Sequence, residues 1–302
     1  MPLRMVTDYS SMTWFMVKIE TDEGVIGWGE SCDCFGISYP TVLATIVDDV
    51  WAPALIGRSI DEALGALDAK RVAVRRTLGE QSAPAQSRSA VEIALRDLIG
   101  KAAGASVSAT IGRVSERVEV YAGNSHFLES RSAAEHLELL TPMLDRGVRM
   151  VKMRIGVQWR EAMQVLTDLR ALTPAIDLMV DGSELFTVAE SIEMSERLAD
   201  LRVAWFEEPV PATRLTAIGR IATASRVPIA YGEHLYSTEH ALDTLDEAPI
   251  SVIQPDASIC GGIGEAQLMA RSALGRGARV VMHLHGGPVT IAANALVAAS
   301  VA

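Results

Sequence analysis

The chain has 302 residues, of which 49% are hydrophobic and 22% are charged. This composition is typical of a folded globular protein and excludes a wholly disordered chain. The net charge of −11 argues against a general nucleic-acid-binding protein, because such proteins need a basic surface to contact phosphates. No stretch approaches the roughly 20 apolar residues that span a bilayer, and the three cysteines, Cys32, Cys34 and Cys260, form no disulfide framework. We therefore expect a cytoplasmic protein without nucleic-acid or membrane partners.

The first third of the chain predicts a mixed α and β unit. Residues 15–20 and 25–30 are β-rich runs, and the Asp-Glu-Gly break between them suits a hairpin turn. Helical patterns follow over residues 39–56 and 60–76. Residues 89–103 carry the clearest helical pattern, because apolar side chains recur there at intervals of three and four residues.

From about residue 118 the pattern changes to short apolar strands that alternate with amphipathic helical segments. Seven strands are predicted, at residues 118–123, 150–156, 178–183, 204–210, 228–233, 250–258 and 279–284. Such alternation predicts parallel βαβ units. We therefore expect a TIM-type (β/α) barrel over residues 118–302, preceded by an α+β capping domain over residues 1–117.

Charged side chains recur where the predicted strands end. In chain order they are Lys152, Arg154, Asp181, Glu207, Glu233, Asp256 and His283. From Lys152 onward, successive strand ends lie 23 to 29 residues apart, which is about one strand-and-helix unit. A parallel barrel has its active site at the carboxyl ends of its strands. The spacing therefore predicts that these side chains meet at one mouth.

Asp181, Glu207 and Glu233 come from three consecutive predicted strands. Three carboxylates in a partly dry cavity repel one another and do not all ionise without a cation. Ligation by oxygen alone suits a hard ion such as Mg2+ or Mn2+. The alternative is that each acid caps the following helix or pairs with a local cation, which is less common for three acids in register.

Two further pairs belong to this set of strand ends. Lys152 and Arg154 are two residues apart and share one face of their strand. Two cations inside a barrel need anionic neighbours, which the carboxylates or an anionic substrate supply. The alternative is a salt-bridge network with a purely structural role. Asp256 and His283 end adjacent strands, so a hydrogen bond between them can fix the imidazole tautomer and raise its basicity. His285 is an alternative to His283, which is favoured because it ends an apolar run.

With these strand-end residues, the chain resembles the mandelate racemase and muconate lactonizing branch of the enolase superfamily. Over essentially the whole chain, motifs occur in the order and spacing typical of that family. They are residues 17–30, 90–104 and 151–156, Val180-Asp-Gly-Ser183, Phe206-Glu-Glu-Pro209, Gly232-Glu233, and Gln254-Pro-Asp256 with Gly261-Gly-Ile263. Each motif alone is weak, but their joint order is specific.

The resemblance implies a role for each acid and for the histidine. Asp181, Glu207 and Glu233 would bind Mg2+, and His283 would be a general acid/base that Asp256 orients. The chemistry of the family is abstraction of the proton α to a carboxylate, with the resulting enediolate stabilised by the metal and by cations. The resemblance also implies a small carboxylate substrate and a homo-oligomer, either a dimer or an octamer.

The chain departs from the family pattern at two positions. The second lysine of the usual Lys-x-Lys strand is Arg154, and the usual asparagine after the first acid is Ser183. Lys152 and Arg154 would face the substrate carboxylate or its enolate. A guanidinium is a poor base at neutral pH, which weakens a two-base racemisation and favours a one-base route, with Lys152 as the alternative second base.

We therefore expect a Mg2+-dependent hydro-lyase that dehydrates an acid sugar or a related hydroxy acid. A racemase, epimerase or cycloisomerase would use the same enolate. A metal-stabilised protein that only binds acidic ligands is the non-catalytic alternative, which Arg154 and Ser183 keep open. Residues 35–38, after the hairpin, are a candidate for substrate specificity. Asn124 and His126 follow the first barrel strand and could line the site, and a solvated loop is the alternative position for His126.

The length is short for this architecture. A complete (β/α)8 barrel takes about 250 residues, whereas residues 118–302 hold seven predicted strands and no eighth. An open barrel leaves the edges of its first and seventh strands unpaired. We therefore expect the sequence to be part of a protein roughly 60–100 residues longer.

Overall fold

The computed structural model describes residues 14–32 and 40–301. The chain begins with an antiparallel hairpin of β1 (Trp14–Glu20) and β2 (Ile26–Cys32). Gly24 lies in the turn with φ +80, a conformation that glycine adopts without steric cost. The predicted hairpin is therefore confirmed, with each strand shifted by one or two residues.

Helices follow the hairpin and pack against it. They are α1 (Pro40–Ile46), a π-helical turn (Val47–Trp51), α2 (Ala52–Leu55), α3 (Ile60–Thr77), α4 (Ala83–Ala102) and the short α5 (Val107–Thr110). Helix α4 begins six residues before its predicted start, because Pro84 lies in its first turn, where no backbone N–H is needed. Its apolar face covers the hairpin, in a core cluster that includes Val17, Val91 and Leu95.

Seven parallel strands form the second part of the molecule. They are β3 (Ala122–Phe127), β4 (Met150–Arg154), β5 (Asp177–Asp181), β6 (Phe206–Glu207), β7 (Ile229–Tyr231), β8 (Val252–Ile253) and β9 (Arg279–Val280). The helices between and after them are α6 (Ala133–Asp145), α7 (Trp159–Leu172), α8 (Val188–Asp200), α9 (Leu215–Ala224), α10 (Thr238–Glu247), α11 (Ile263–Gly275) and α12 (Pro288–Val301). The strands pair in sequence order, from β3 to β9.

The first predicted barrel strand, at residues 118–123, was misplaced. The observed β3 begins at Ala122, which pairs with Val151 of β4. Apolar periodicity marks residues that can be buried, but a ladder starts only where the neighbouring strand supplies partners. The later strands are shorter than predicted for the same reason, and the charged residues at their ends lie on or just beyond them.

Two apolar layers hold the curled sheet. The larger layer lies between the sheet and the surrounding helices and includes Val151, Val180 and Leu166. The smaller one fills the inside of the curled sheet with Met179, Trp205, Ala230 and Val252. The inner layer lies beneath the carboxyl ends of the strands and forms the floor of the mouth.

The sheet is an open, curled, seven-stranded arrangement of the (β/α) barrel type. Strands β3 and β9 occupy its two ends, and no pairing joins them within residues 14–32 and 40–301. The predicted fold class is therefore confirmed, including the seven barrel strands and the preceding α+β unit. Among the described helices, none is long and apolar enough to cross a membrane.

Candidate active site

Three strands bring a lysine and two acids together inside the curled sheet. Asp181 ends β5 and pairs in register with Glu207 on β6, and Lys152 lies on the neighbouring β4. The ammonium of Lys152 forms an ion pair with Glu207 Oε1 and lies 3.7 Å from Asp181 Oδ2. Both carboxylates are 1% exposed. The side chains meet as the spacing of the strand ends predicted. The lysine compensates two buried acids at once, which is the pairing with a local cation given above as the alternative to a metal site.

Arg154 contacts the same aspartate from the outer end of β4. Its Nε donates to Asp181 Oδ2 at 3.3 Å. On the other side, the backbone N–H and the hydroxyl of Ser183 donate to Asp181 Oδ1 at 2.7 and 3.2 Å. Ser183, which stands where the family has asparagine, thus binds the first acid directly.

Glu207 has polar partners beneath it as well. Its Oε2 accepts hydrogen bonds from Gln254 Nε2 at 2.7 Å and from Trp205 Nε1 at 3.3 Å. The tryptophan is buried, as its apolar neighbours predict. Glu207 is therefore held from below by neutral donors and from the side by Lys152, which fixes its orientation.

His283 lies between two carboxylates. Its Nδ1 is 3.0 Å from Asp256 Oδ2, and its Nε2 is 2.9 Å from Glu233 Oε2. Because the carboxylate of Asp256 accepts from Nδ1, that nitrogen carries a proton and Nε2 is the nitrogen that faces the mouth. The predicted contact between Asp256 and His283 is present, and His283, not His285, makes it.

Asp256 is fully buried and its oxygens are saturated with donors. Oδ1 accepts from the backbone N–H and hydroxyl of Ser258 at 2.8 and 2.7 Å and from Asn294 Nδ2 at 2.9 Å. Oδ2 also receives the backbone N–H of His285 at 3.4 Å. These hydrogen bonds fix the orientation of the carboxylate and hold it toward His283.

Carboxylate oxygens of Glu207 and Glu233 and a ring nitrogen of His283 lie within 4.8 Å of one another. Asp181 lies outside this group of three and is linked to it through Lys152, which contacts both Asp181 and Glu207. Buried carboxylates at such separations offer a divalent cation the oxygen donors that Mg2+ prefers. The donor set therefore fits a hard divalent ion at this position.

The charges at the mouth shift one another's protonation. Burial opposes the charge of Lys152, but Glu207, Tyr121 and Asp181 more than offset it and raise the pKa of the lysine. Burial also opposes the charge of His283, yet Glu233 and Asp256 raise its pKa well above the usual range. Burial opposes ionisation of Glu233, and the charge of His283 nevertheless lowers its pKa well below the usual range.

A second ionisable cluster lies beside the first, and of its members the sequence pattern indicated only His234, as a possible neighbour of the site. His234 Nδ1 is 3.0 Å from Glu208 Oε2 and 3.8 Å from Glu184 Oε1. Burial and the charge of Glu233 raise the pKa of Glu208 to about 8. Each member directly follows a residue singled out in the sequence, namely Ser183, Glu207 or Glu233, so adjacency was the available signal.

Other contributors had no readable signal. Tyr121 lies with its ring centroid 6.0 Å from Lys152 Nζ and stacks edge-on against Trp205. Asn294 lies on α12, 38 residues from the aspartate that it binds. Neither residue ends a predicted strand, so only the folded geometry brings them to the site.

His126 and Trp28 are both exposed in the structure. His126 lies on β3. The apolar neighbours of Trp28 predict a core position, which is wrong: the residue is 43% exposed, because it lies on the hairpin face opposite α4. Cys34, residues 35–38 and the side chain of Asn124 lie outside the described part of the chain.

Comparisons with known proteins agree with this geometry. Residues 135–302 match the family model described as "Enolase C-terminal domain-like", and residues 2–112 match "Mandelate racemase / muconate lactonizing enzyme, N-terminal domain". The D-galactarolactone cycloisomerase of Agrobacterium fabrum is 31% identical over 281 residues, which cover 92% of this chain and 72% of that protein. A D-galactonate dehydratase of Variovorax paradoxus is 29% identical, over 93% of this chain and 74% of that protein.

A solved structure is similar over the same range. The mandelate racemase/muconate lactonizing protein of Paracoccus denitrificans, complexed with magnesium, superposes with a TM-score of 0.86 at 25% identity. The match covers 95% of this chain and 78% of that one. Both units of the chain are therefore accounted for by one family. The chain belongs to the mandelate racemase/muconate lactonizing enzyme family of the enolase superfamily.

Proposed function

We propose that this protein is a Mg2+-dependent enzyme that removes the proton α to a carboxylate and dehydrates an acid sugar or a related hydroxy acid. One observation carries the proposal: His283, oriented by Asp256, presents Nε2 beside the cluster of Glu207 and Glu233. The similarity to a D-galactonate dehydratase supports the choice of reaction and substrate class.

The proposed ligands of Mg2+ are Asp181, Glu207 and Glu233, with Mn2+ as an alternative ion. Their oxygen donors suit such a cation, and the similar Paracoccus denitrificans protein is complexed with magnesium. When bound, the ion would supply positive charge that stabilises the enediolate oxygens.

In the proposed mechanism, His283 serves as the single general base and acid. Its Nδ1–H stays with Asp256. Glu233, when it binds the cation, would no longer raise the pKa of His283, which would leave Nε2 free to accept the α-proton. Loss of the β-hydroxyl together with one proton releases one water molecule and leaves an enol, which tautomerises to a 2-keto-3-deoxy acid. His283 gives the abstracted α-proton to the departing hydroxyl, which leaves as water, and so returns to its starting state.

Lys152 and Arg154 act as charges in this proposal, not as bases. The neighbouring carboxylates raise the pKa of Lys152, so it stays an ammonium at neutral pH and can donate to a carboxylate or an enolate. Arg154 is bound to Asp181, and arginine side chains are poor bases in general. A one-base dehydration therefore fits these residues better than a two-base racemisation.

Cycloisomerisation is the second candidate reaction. The 31% identity to a D-galactarolactone cycloisomerase favours it, and it would use the same proton transfer at His283. The two reactions differ in mass balance, because dehydration removes one water and cycloisomerisation conserves the atoms of the substrate.

The deciding experiment is a screen of acid sugars and sugar lactones with Mg2+, read by mass spectrometry and by keto-acid formation. Loss of water identifies the dehydratase, and a product of unchanged mass identifies the isomerase.

His283→Asn should lower turnover by about 10²–10⁴-fold and still bind Mg2+, whereas Glu207→Gln should lose both turnover and Mg2+ binding. His240→Asn, on α10, is the matched histidine control. Ligand binding without turnover would favour the non-catalytic alternative.

Three further expectations belong to this proposal. A boundary near residues 117 and 118 is supported by the gap between the family matches, which cover residues 2–112 and 135–302. A symmetric homo-oligomer, a dimer or an octamer, is the common case for such enzymes and is tested by light scattering. A reducing cytoplasm suits the free, buried thiol of Cys260.

A further inference from the structure

The end of strand β2 reaches from the first unit of the chain into the loops that carry Asp256 and His283. We propose that Glu30 and Ser31, on this strand, are positioning residues that hold the Asp256–His283 pair in its working geometry. The inference rests on the proposed function, because it assigns these residues to the proton transfer at His283. Neither residue touches the mouth itself, so they would act through the loops they bind.

Glu30 caps helix α12 from the opposite unit. Its side chain is 1% exposed. Oε1 accepts the backbone N–H of Gly287, and Oε2 accepts those of Val289 and Thr290 at 3.1 and 3.3 Å. These donors open a helix whose first residue, Pro288, has no N–H. A carboxylate at a helix N-terminus is stabilised by the donors and by the helix dipole.

The fit between Glu30 and this loop is tight. A Cβ added to Gly287 would lie 2.8 and 3.0 Å from the two carboxylate oxygens of Glu30. Such separations force the neighbouring group to move, and here that group is the buried carboxylate. The glycine therefore allows the contact, and the loop after His283 approaches β2 as closely as the backbone permits.

The capped helix in turn binds the catalytic aspartate. Asn294, one turn beyond Thr290 on α12, donates from Nδ2 to Asp256 Oδ1 at 2.9 Å. Its Oδ1 accepts the backbone N–H of Ala257 at 2.9 Å. A displacement of α12 along its axis would therefore move the amide group of Asn294, and with it both the carboxylate of Asp256 and the backbone of Ala257.

Ser31 binds the other loop. Its hydroxyl, fully buried, donates to the backbone carbonyl of Ser258 at 2.8 Å. Ser258 itself donates two hydrogen bonds to Asp256 Oδ1. Two adjacent residues of β2 thus bind two loops: Ser31 binds the segment after β8, and Glu30 binds the segment after β9. These segments meet where the backbone N–H of His283 donates to the Pro255 carbonyl at 2.9 Å.

The consequence is that the pair is assembled only while the hairpin is docked. The distance from Asp256 Oδ2 to His283 Nδ1 depends on the relative position of two loops, and β2 contacts both. A catalytic group that is misplaced by about 1 Å can lose about 100-fold in rate. Docking of the first unit would therefore set the orientation of the base as well as cover the mouth.

The test compares three variants of the contact with one matched control. Glu30→Gln replaces an acceptor oxygen by an amide donor that faces backbone N–H groups. Gly287→Ala crowds the same contact from the loop, and Ser31→Ala removes the second bond with a smaller change. Asp97→Asn is the control, because Asp97 accepts the backbone N–H of Trp28 on the same strand at 2.8 Å but belongs to the first unit.

The first measurement is the ring N–H resonance of His283 in full-length, 15N-histidine-labelled protein with Mg2+. The chain has six histidines, and the His283→Asn variant identifies the signal. In the three contact variants we expect this N–H to exchange with water at least about tenfold faster than in the wild type. Asp97→Asn should lower the melting temperature and leave the exchange rate unchanged.

The second measurement is steady-state turnover of whichever acid sugar the wild type converts. In Glu30→Gln and Gly287→Ala we expect kcat to fall about 10- to 100-fold, with KM and Mg2+ affinity within about twofold of the wild type. If the wild type converts no acid sugar, the proposed function fails, while the His283 exchange rate still tests the positioning role.

Unchanged exchange at His283 in all three contact variants would overturn the inference, even if their melting temperatures fall. Equal acceleration in Asp97→Asn would overturn it as well, because it would make the effect one of general stability. Should Glu30→Gln fail to fold, Ser31→Ala decides the matter, since it removes one hydroxyl and creates no clash.

Discussion

Lys152 compensates two buried acids on neighbouring strands, and this makes the mouth sensitive to any second cation. The ammonium contacts Asp181 and Glu207, which would otherwise repel each other in a water-poor environment. A divalent ion bound by the same carboxylates would supply the same compensation. The stability of the molecule should therefore couple to Mg2+ through this lysine.

Lys152→Met tests that coupling. Without Mg2+, the variant should be less stable than the wild type by about 3 kcal/mol, because two buried carboxylates lose their cation. Saturating Mg2+ should restore much of this difference, since the ion binds the folded state. Thermal unfolding with and without Mg2+ measures both effects. In the control Arg154→Met, whose side chain is 25% exposed, the loss should be smaller; equal Mg2+ responses in both variants would contradict the coupling.

Among single residues, the sequence predicted those that recur once per strand-and-helix unit and did not predict those that fall outside this spacing. Asp181, Glu207 and Asp256 recur once per strand-and-helix unit, so their meeting at one mouth was predictable. Glu208 has φ +40, a left-handed conformation that turns its side chain away from the direction alternation predicts. No periodicity encodes such a local turn, and so its pairing with His234 was not foreseen.

The hairpin and helix α4 form the tightest pair of elements in the first unit. Gly29 of β2 lies directly on α4: an added Cβ would collide with the Ala90 carbonyl and lie 2.6 Å from the Ala94 nitrogen. Gly65 of α3, in contrast, is exposed and has nothing within 4 Å of an added Cβ. The same substitution should therefore have opposite signs at these two glycines.

Gly29→Ala should destabilise the protein by about 1–3 kcal/mol or prevent folding, because the strand must move off the helix. Gly65→Ala should stabilise it by up to about 1 kcal/mol, because alanine favours the helix. Urea unfolding followed by circular dichroism gives both values. A neutral Gly29→Ala would mean that the hairpin is not held as closely as the geometry indicates.

Helix α6 contains a histidine that should make stability depend on pH. His136 is fully buried, and its Nε2 donates to the Leu128 carbonyl at 3.0 Å. Burial lowers its pKa below the usual value, so the unfolded chain binds a proton more readily than the folded one. Stability should therefore be complete above about pH 6.5 and fall as the pH drops below that value.

His136→Gln keeps a donor and removes this titration. We expect the drop in melting temperature between about pH 7.5 and about pH 5.5 to be smaller in the variant than in the wild type. Thr141→Val, which removes an exposed hydroxyl from the same helix, is the control and should keep the wild-type dependence. An unchanged pH dependence in His136→Gln would assign the acid sensitivity to other groups.

Element types were predicted well and element ends poorly. Helix α3 begins where predicted, because it follows a serine that caps it together with a glutamate three residues later, and α6 begins with the same capping arrangement. The strands were predicted too long, since a run of apolar residues continues into loops that are also buried. Residues 206–207 illustrate this: the run extends over 204–210, but only two residues pair with both neighbouring strands.

Across the whole molecule, ion pairs join the two units around a cavity of about 490 Å³. Arg71 of α3 lies 2.6 Å from Glu265 of α11 and also pairs with Glu80. The carboxylate of Glu265 is 5% exposed and caps α10 through Thr238. Arg75, one turn along, pairs with Glu80 and Glu239, but its side chain is 56% exposed.

Arg71→Met should therefore lower the free energy of unfolding by about 1–3 kcal/mol, because it leaves Glu265 buried without its cation. Arg75→Met, which removes an exposed cation from the same network, should cost less than about 0.5 kcal/mol. Chemical denaturation of both variants measures the difference. Equal costs would place the stabilisation in the apolar contacts between the units and not in Arg71.

How the two units face each other could not be predicted from the sequence. The contacts of Arg71 with Glu265 and of Glu30 with Gly287 join residues that are 194 and 257 positions apart. Each partner alone resembles an ordinary surface charge or loop glycine. The order of strands, by contrast, follows from chain connectivity, because parallel strands joined by right-handed crossovers pair with their neighbours in sequence.

The buried thiol of Cys260 lies at the junction of the two units, where its chemical modification can report their separation. Cys260 is 1% exposed, burial raises the pKa of its thiol, and the next residue, Gly261, binds Ser89 of α4. A thiol reagent can reach the sulfur only after α4 lifts from this loop, and only the thiolate then reacts. Peptide mapping separates Cys260 from Cys32 and Cys34. The rate of its modification would report how often the two units separate in the native protein, and the measurement needs no substrate.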